Sequence, residues 1–221
     1  MALPPGLLAR GSWSPDQVEG RWSDAVYEPG PSVTRAADEA IGALHARGSP
    51  SHDGLSARLV SFEAHGDRLV LELEPVRWAL RLSQADASQS MAATCVVRAH
   101  DGRWLAGRRA QWLATWPGRW ALGAGGSIER GENPAHTLER ELVEEWSVSA
   151  RQITVEALIC LPNQLVMMVG MAWLAEGDEV VPDHEHDAFA WWPAELDRWP
   201  PEADEPLRAL AALLAEPRPA P

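Results

Sequence analysis

The chain has 221 residues, a length that suits one ordinary domain with an extension. Hydrophobic residues make up 46% and charged residues 23%, which is the usage of a globular protein and excludes a disordered chain or a coiled coil. Because a net charge of −13 repels a polyphosphate backbone, we expect no nucleic-acid polymer as a partner.

The cysteines and the apolar runs of the sequence indicate in which cellular compartment the protein is expected. Cys95 and Cys160 form neither a zinc-site spacing nor a disulfide framework. The N-terminal residues lack a charged region followed by an unbroken apolar stretch, and no apolar run is long enough to cross a bilayer. We therefore predict a cytoplasmic protein without a membrane segment.

The first part of the chain is irregular and then helical. Residues 1–31 are rich in Pro, Gly and Trp and show no period. Apolar residues at helical spacing predict a helix over 33–47, with Ser32 as its N-cap and Gly48 as its end.

A change in composition predicts two units. Strict alternation in LVLELE predicts a β meander over residues 57–82. The polar stretch 83–90 follows without apolar anchors and is expected to hold the boundary. We divide the chain into a small α+β extension over 1–88, a second domain over 89–216 and a disordered tail over 217–221.

The second domain interleaves strands with helices. ATCVVRA and RWLAGRR flank an Asp-Gly pair and predict a hairpin. After a Gly-rich turn, Asn133 is the predicted N-cap of a helix with Pro134 as its first residue. ITVEALICL, LVMMVGMAWLA and AFAWWP predict further strands, separated by an acidic loop, and Asp204 caps a last amphipathic helix. This order predicts an α/β layer architecture.

Three carboxylates gather on the helix that begins at Pro134. At 100° per residue, Glu141, Glu144 and Glu145 occupy one arc beside an apolar stripe. Acids without a basic partner in the same arc repel one another, so helix stability gives no reason for them. Binding of a hard cation gives a reason for this cluster of acids, because Mg²⁺ prefers oxygen ligands. The backbone of the Gly-rich turn can approach the same cation site, because glycine has no side chain to prevent it.

Residues 126–148 resemble the Nudix box, G-x5-E-x7-R-E-U-x-E-E-x-G-U, in which U is a bulky aliphatic residue. The box positions filled in register are Gly126, Glu132, Arg140, Glu141, Leu142, Glu144, Glu145 and Val148. Two positions depart from the family. Ala124 replaces the usual Pro before the box, and Ser147 replaces a Gly that is expected in the left-handed conformation.

The resemblance implies a Nudix-type α/β/α sandwich with a mixed sheet. It implies a hydrolase, dependent on Mg²⁺ or Mn²⁺, that cleaves a diphosphate linkage in a nucleoside diphosphate joined to another moiety: a nucleotide sugar, ADP-ribose, a dinucleotide or a nucleoside triphosphate. Metal ligands would be Glu141, Glu144 and Glu145, with a carbonyl of Gly126. Glu132 and Arg140 would pair across the junction of loop and helix and complete the catalytic set, with direct contact to phosphate as the equal alternative for Arg140.

Other side chains are candidate substrate contacts. Arg108 and Arg109 could hold phosphate through their guanidinium groups, with a solvated strand end as the equal alternative. Trp116 offers a stacking face. The sequence HEHD at 184–187 is expected to be a polar loop. Glu185 is a candidate substrate contact or base, Asp187 is its alternative as base, and a His-Glu-His zinc site is the remaining interpretation.

Two rival functions stay open. A catalytically weak Nudix domain could serve as a nucleotide sensor or interaction module, with Ser147 as its support. An isoprenoid-diphosphate isomerase would need a catalytic cysteine, and both cysteines fall in predicted strands. The expected partner is a small phosphorylated molecule. The extension could shape substrate choice, form a homodimer or cover a sheet edge.

Overall fold

The computed structural model describes residues 2–216, and the predicted disordered tail, 217–221, lies outside them. The described residues form three α-helices: α1 (Pro31–Ala46), α2 (Pro134–Trp146) and α3 (Glu205–Ala215). Their strands are β1 (Gly6–Trp13), β2 (Val18–Trp22), β3 (Leu55–His65), β4 (Arg68–Arg77), β5 (Met91–Arg98), β6 (Trp104–Arg109), β7 (Trp120–Leu122), β8 (Ala124–Ser127), β9 (Gln152–Cys160), β10 (Val166–Trp173) and β11 (His186–Trp192).

The larger sheet is mixed. Six strands follow the order β1-β9-β10-β5-β6-β11, while β7 pairs with β6 and β8 with β5. β10 and β5 run parallel, whereas β1 and β9, β9 and β10, and β6 and β11 run antiparallel. A second sheet has the order β2-β4-β3. The predicted mixed sheet is confirmed.

Helices cover both faces of the larger sheet. Cys95 belongs to the apolar cluster that contains Leu138 of α2, whereas its neighbour Val96 belongs to the cluster that contains Leu214 of α3. Successive strand residues point to opposite faces, so these two clusters mark two layers of helix around one sheet. The α/β/α sandwich is confirmed. No helix among residues 2–216 is long and apolar enough to span a membrane.

Side-chain caps explain where two helices begin. The side chain of Asn133 accepts a hydrogen bond from the N–H of Ala135, and that of Asp204 accepts one from Leu207. Both predicted caps are confirmed. The helix predicted over 33–47 is present as α1, but its predicted N-cap, Ser32, is wrong. The helix begins at Pro31 with Gly30 as its N-cap, because a proline tolerates the first helical position, where no N–H is needed.

Residues without a sequence period form β1 and β2. The pairing of β1 with β9 shifts register twice, between Leu7 and Ala9 and between Arg10 and Trp13. Each irregularity interrupts the alternation of inward and outward side chains, which removes the period from the sequence. β1 covers the edge of the larger sheet at β9, and the division at residues 88 and 89 stays a prediction.

A buried ion pair ties β1 to the sheet. Glu156 of β9 is fully buried, and its Oε2 lies 3.1 Å from Nη1 of Arg10. Nη2 of Arg10 also donates to the carbonyl of Leu213 at 2.8 Å, so one guanidinium joins β1, β9 and α3. A buried carboxylate without its partner is expensive, and the first strand is therefore integral to the fold.

We predict that Arg10→Met lowers the free energy of unfolding by about 3–5 kcal/mol, because Glu156 would lose its buried ion pair with Arg10. Replacing both residues with Met should recover most of the loss, since no charge is then stranded. Urea unfolding measures both. As a control, Arg21→Met removes an exposed pair with Glu19 and should cost less than about 1 kcal/mol. A comparably small effect at Arg10 would contradict the prediction.

Candidate functional site

A polar cleft of about 670 Å³ lies where α2 faces β8. Its walls come from distant parts of the chain: residues 50–56 of the extension, 109 and 112–115 after β6, 125–127 of β8, and the acidic loop at 184 and 185. Arg140, Glu141 and Glu144 of α2 also line it. The box residues Gly126, Arg140, Glu141 and Glu144 therefore share one cavity with a later acidic loop, whereas Glu145 lines a neighbouring cavity.

The Gly-rich segment before α2 was predicted as a turn, and that prediction is wrong. Residues 124–127 form strand β8, in which Gly125 pairs with Thr94 and Gly126 with Ala93 of β5. A Cβ atom at Gly126 would lie 2.0 Å from Oε1 of Glu141. Glycine is required here because the carboxylate of the helix rests directly on the strand backbone.

Arg140 connects the box acids to one another. Its Nε lies 3.1 Å from Oε1 of Glu132, which joins loop and helix as the resemblance implies. Its Nη1 lies 2.7 Å from Glu141 and 3.1 Å from Glu144, and Nη2 donates to the carbonyl of Ser127. The premise that the acids lack a basic partner is therefore wrong, because a long side chain reaches acids that adjoin it on the helix.

Glu145 is the most deeply buried box acid. It is 4% exposed, and its Oε1 accepts a hydrogen bond from the N–H of Gly125 at 2.9 Å. Its Oε2 is buried without a hydrogen-bond partner among the described residues. Burial raises the pKa of this carboxyl well above its ordinary value, and the charges of Glu141 and Glu185 raise it further.

Glu141 is also affected by burial. Burial raises its pKa to about 7, with the negative charges of Glu144 and Glu185 adding to the effect and Arg140 opposing it. Glu144 differs, because its side chain is 57% exposed. The helix thus presents two buried carboxylates that are costly to ionise and a third at the surface of the cleft.

The donor set fits a divalent cation by its chemistry. Oxygen ligands suit Mg²⁺ and Mn²⁺. Glu145 has one buried oxygen without a hydrogen bond, and the missing Cβ of Gly126 lets the carboxylate of Glu141 lie against the strand backbone. In residues 2–216, as their side chains stand, no three His, Cys, Asp or Glu groups converge on one point that could hold an ion. The ligand set of Glu141, Glu144, Glu145 and Gly126 stays a prediction, and the HEHD sequence forms no zinc site.

His186, considered in the sequence only as part of a His-Glu-His zinc site, is a buried neighbour of Glu145. Its Nε2 lies 3.6 Å from Oε2 of Glu145 and its Nδ1 lies 3.5 Å from Asp183. The ring packs on Trp146, and a Cβ at Gly107 would lie 2.3 Å from it. A glycine on the neighbouring strand makes room for this ring, which only the tertiary pairing of β6 and β11 reveals.

The candidate substrate contacts separate onto two faces of β6. Arg109 lines the cleft, whereas the Nε of Arg108 lies 2.5 Å from Asp187. Glu185 lines the cleft, where burial raises its pKa and Arg109 opposes the shift. Successive strand residues point to opposite faces, which separates Arg109 from Arg108. Glu185 precedes β11, and the pairing of β11 shifts register between His186 and Ala188, so Glu185 lines the cleft while Asp187 pairs with Arg108.

An apolar channel of about 560 Å³ adjoins the cleft on the α3 side of the sheet. Trp116, which is 46% exposed, stands among its lining residues. Its deeper walls carry aliphatic side chains from β9, β10 and α3, among them Ile159, Met167, Leu210 and Leu213. Gly125 and Gly126 line both cavities, so the two spaces meet at β8.

The extension contributes residues that were not predicted. Arg81, in a short 3₁₀-helix over Trp78–Leu82, lines both cavities. Nε1 of Trp78 donates to the hydroxyl of Ser127 at 2.8 Å. No motif in the extension could have identified either residue, because each reaches the site through packing of the smaller sheet.

Ser147 takes the left-handed conformation that the box expects of glycine. Its φ is +52° and its N–H donates to the carbonyl of Val143 at 3.0 Å. The serine therefore ends α2 in the ordinary way, with a conformational cost but without displacing the carboxylates of the preceding turn.

A family model, the NUDIX domain, matches residues 89–212. The chain belongs to the Nudix family. With the Arg-Glu-x-x-Glu-Glu core intact, the protein is a Nudix hydrolase. Among curated proteins, none matches the chain.

Solved structures of Nudix proteins resemble this chain. A MutT Nudix hydrolase from Burkholderia pseudomallei is 22% identical with a TM-score of 0.48, over 57% of this chain and 98% of that one. The Ap4A hydrolase of C. elegans is 18% identical with a TM-score of 0.44, over 57% and 95%. The Nudix domain of Shewanella oneidensis NrtR with ADP ribose is 19% identical with a TM-score of 0.39, over 54% and 81%.

We predict that Ser147→Gly raises the free energy of unfolding by about 0.5–1 kcal/mol, because glycine adopts a positive φ without the clash of a Cβ. Chemical denaturation measures the change. Ser149→Gly is the matched control: this exposed residue has no positive φ, so glycine there should give no gain. Equal effects at both positions would argue against conformational strain at Ser147.

The metal-free protein should lose stability as pH rises from about 6.5 to about 8. Glu141 binds its proton more tightly in the folded protein, with a pKa of about 7 against an ordinary 4.5. The stability that protonated Glu141 contributes is complete below its ordinary pKa of 4.5, and it is lost as pH rises through the folded-state pKa of about 7. Glu145 and Glu185 act in the same direction. Burial lowers the pKa of His186, so the titration of this residue opposes the loss of stability, but only below its ordinary pKa of 6.5.

Urea unfolding in the presence of EDTA tests this dependence. Glu141→Gln should flatten the decline, because an amide does not ionise. Added Mn²⁺ should stabilise the protein more at the higher pH, where the carboxylates have lost their protons. A stability that increases over this interval would contradict the assignment of buried, proton-binding carboxylates.

Proposed function

We propose that this Nudix hydrolase uses Mg²⁺ or Mn²⁺ to cleave a diphosphate linkage in a nucleoside diphosphate joined to another moiety. One observation carries the proposal: Glu145 is buried against the glycine strand with an oxygen that accepts no hydrogen bond, beside the buried Glu141. Burial of two adjacent acids destabilises a protein unless a cation compensates them. The polar cleft admits the phosphates.

Each polar residue of the cleft has a proposed task. Glu141, Glu144, Glu145 and the backbone at Gly126 would hold the cation. When bound, the cation neutralises phosphate charge and lowers the pKa of water. Arg140 keeps the carboxylates and the Glu132 loop in place through its ion pairs. Glu185 is the proposed proton acceptor, because burial raises its pKa toward the range useful to a base.

The apolar channel supports a flat, weakly polar group beyond the phosphates. The aliphatic side chains that line it offer no partners for hydroxyl groups, whereas Trp116 offers a ring face. A nucleobase fits these demands better than a hexose, whose hydroxyls would lose their hydrogen bonds on burial. We therefore propose a small phosphorylated nucleotide derivative as the substrate, with its base in the channel.

The rival functions find less support. Ser147 was the argument for a sensor, and it ends α2 at the place where the box ends its helix. For an isomerase, Cys95 would have to react, but it is fully buried, and burial raises the pKa of its thiol.

Replacing Glu144 with Gln should reduce turnover by about 10²–10⁴-fold, because the loss of an ion-binding charge removes several kcal/mol of stabilisation from the transition state. The protein should stay folded, since this side chain is exposed. Glu139→Gln, on the outer surface of the same helix, is the matched control and should retain activity. Phosphate release from dinucleotides, nucleotide sugars, ADP-ribose and nucleoside triphosphates, with and without EDTA, gives the measurement.

Unchanged turnover in Glu144→Gln would overturn the assigned site. Tight nucleotide binding without turnover under any divalent cation would instead favour the sensor. The two results differ, because the first requires an active enzyme and the second requires an inactive one.

A further inference from the structure

Two arginines stand where the cleft and the apolar channel meet. Arg81 comes from the extension, outside the family match at 89–212, and Arg109 ends β6. Both line both cavities. A ligand that extends from the carboxylates of α2 into the channel must therefore pass these two guanidinium groups.

Neither guanidinium is neutralised by a direct partner. Within residues 2–216, Arg81 and Arg109 form no ion pair, although Arg108 pairs with Asp187 and Arg119 with Asp204. The Nε of Arg81 is also buried without a hydrogen-bond acceptor in this part of the chain. Two guanidinium charges without an ion pair therefore lie at the junction of the two cavities.

The charges of the pair are unfavourable without an anion. Burial lowers the pKa of Arg81 to about 10, and the positive charge of Arg109 contributes to the shift. The acids Glu141 and Glu185 oppose it without forming a contact. A phosphoryl group between the two arginines would relieve their repulsion and satisfy the unpartnered donor.

Packing holds both side chains in place. The guanidinium of Arg81 donates to the hydroxyl of Ser127 and lies 5.6 Å from the ring of Trp78. The Nε of Arg109 donates to the carbonyl of Thr115 at 3.0 Å. Donors that are already oriented lose little entropy when a ligand binds.

We propose that Arg81 and Arg109 form a clamp for the second phosphoryl group of the substrate, the one that carries the group in the channel. This inference rests on the proposed function. It gives the extension a role in substrate binding, since it supplies half of an anion site that the family domain alone does not contain.

Calorimetric titration with inorganic pyrophosphate in EDTA tests the clamp without turnover. The wild type should bind, and Arg81→Met or Arg109→Met should weaken binding by about 10–100-fold, as expected for a hydrogen bond to a charged group. The double variant should bind little more weakly than either single variant, because both residues serve one phosphoryl group. Arg151→Met, an exposed arginine elsewhere, controls for net charge and should bind as the wild type does.

Kinetics supply the second readout. Arg81→Met should raise KM for the hydrolysed diphosphate by a similar factor, with a smaller change in kcat. Arg81→Lys keeps the charge but loses the planar fork, so its affinity should fall between those of the wild type and Arg81→Met. This variant and Arg109→Met keep the test decisive if Arg81→Met fails to fold.

Two results would overturn the clamp: a wild type that does not bind pyrophosphate, or an Arg81→Met variant that binds it equally well. Failure of the proposed function looks different. If pyrophosphate binds through Arg81 but the wild type hydrolyses no diphosphate, the clamp stands and the hydrolase assignment falls.

Discussion

The contact between a helix carboxylate and the backbone of a glycine strand determines the architecture of this site. Glu141 rests on Gly126 with no room for a Cβ, and Glu145 accepts a hydrogen bond from Gly125. Both acids are buried, so the fold bears an electrostatic cost at one place. Arg140 offsets part of it, and the proposed cation would offset the rest.

The surrounding fold keeps that contact in place. β8 is held by its pairing with β5, in the middle of the larger sheet, and α2 is anchored by Trp146, which is fully buried. At the other end, the cap of Asn133 starts α2 after the loop of Glu132. Rigid elements on both sides thus fix the distance between the carboxylates and the strand.

The extension completes the cavity and adds to the stability of the sheet. Nε1 of Trp22 donates to the carbonyl of Glu132, and Arg81 and Trp78 reach the hydroxyl of Ser127. β1 lies along β9, where Arg10 neutralises Glu156. Residues that precede the Nudix match therefore belong to the same packed structure as the box, and some of them line the polar cleft.

The sequence by itself determined the parts that depend on local chemistry. The caps Asn133 and Asp204 and the buried strands follow from side-chain types at short spacing, because periodicity and capping act within a few residues. The mixed α/β/α fold was implied by the resemblance of residues 126–148 to the Nudix box. Tertiary structure decided the rest. β1 was not predicted because register shifts interrupt its alternation of side chains, and the Gly-rich segment forms a strand because it pairs with β5. Only packing brought Arg81 and His186 to the site, since contacts across long chain separations leave no local pattern.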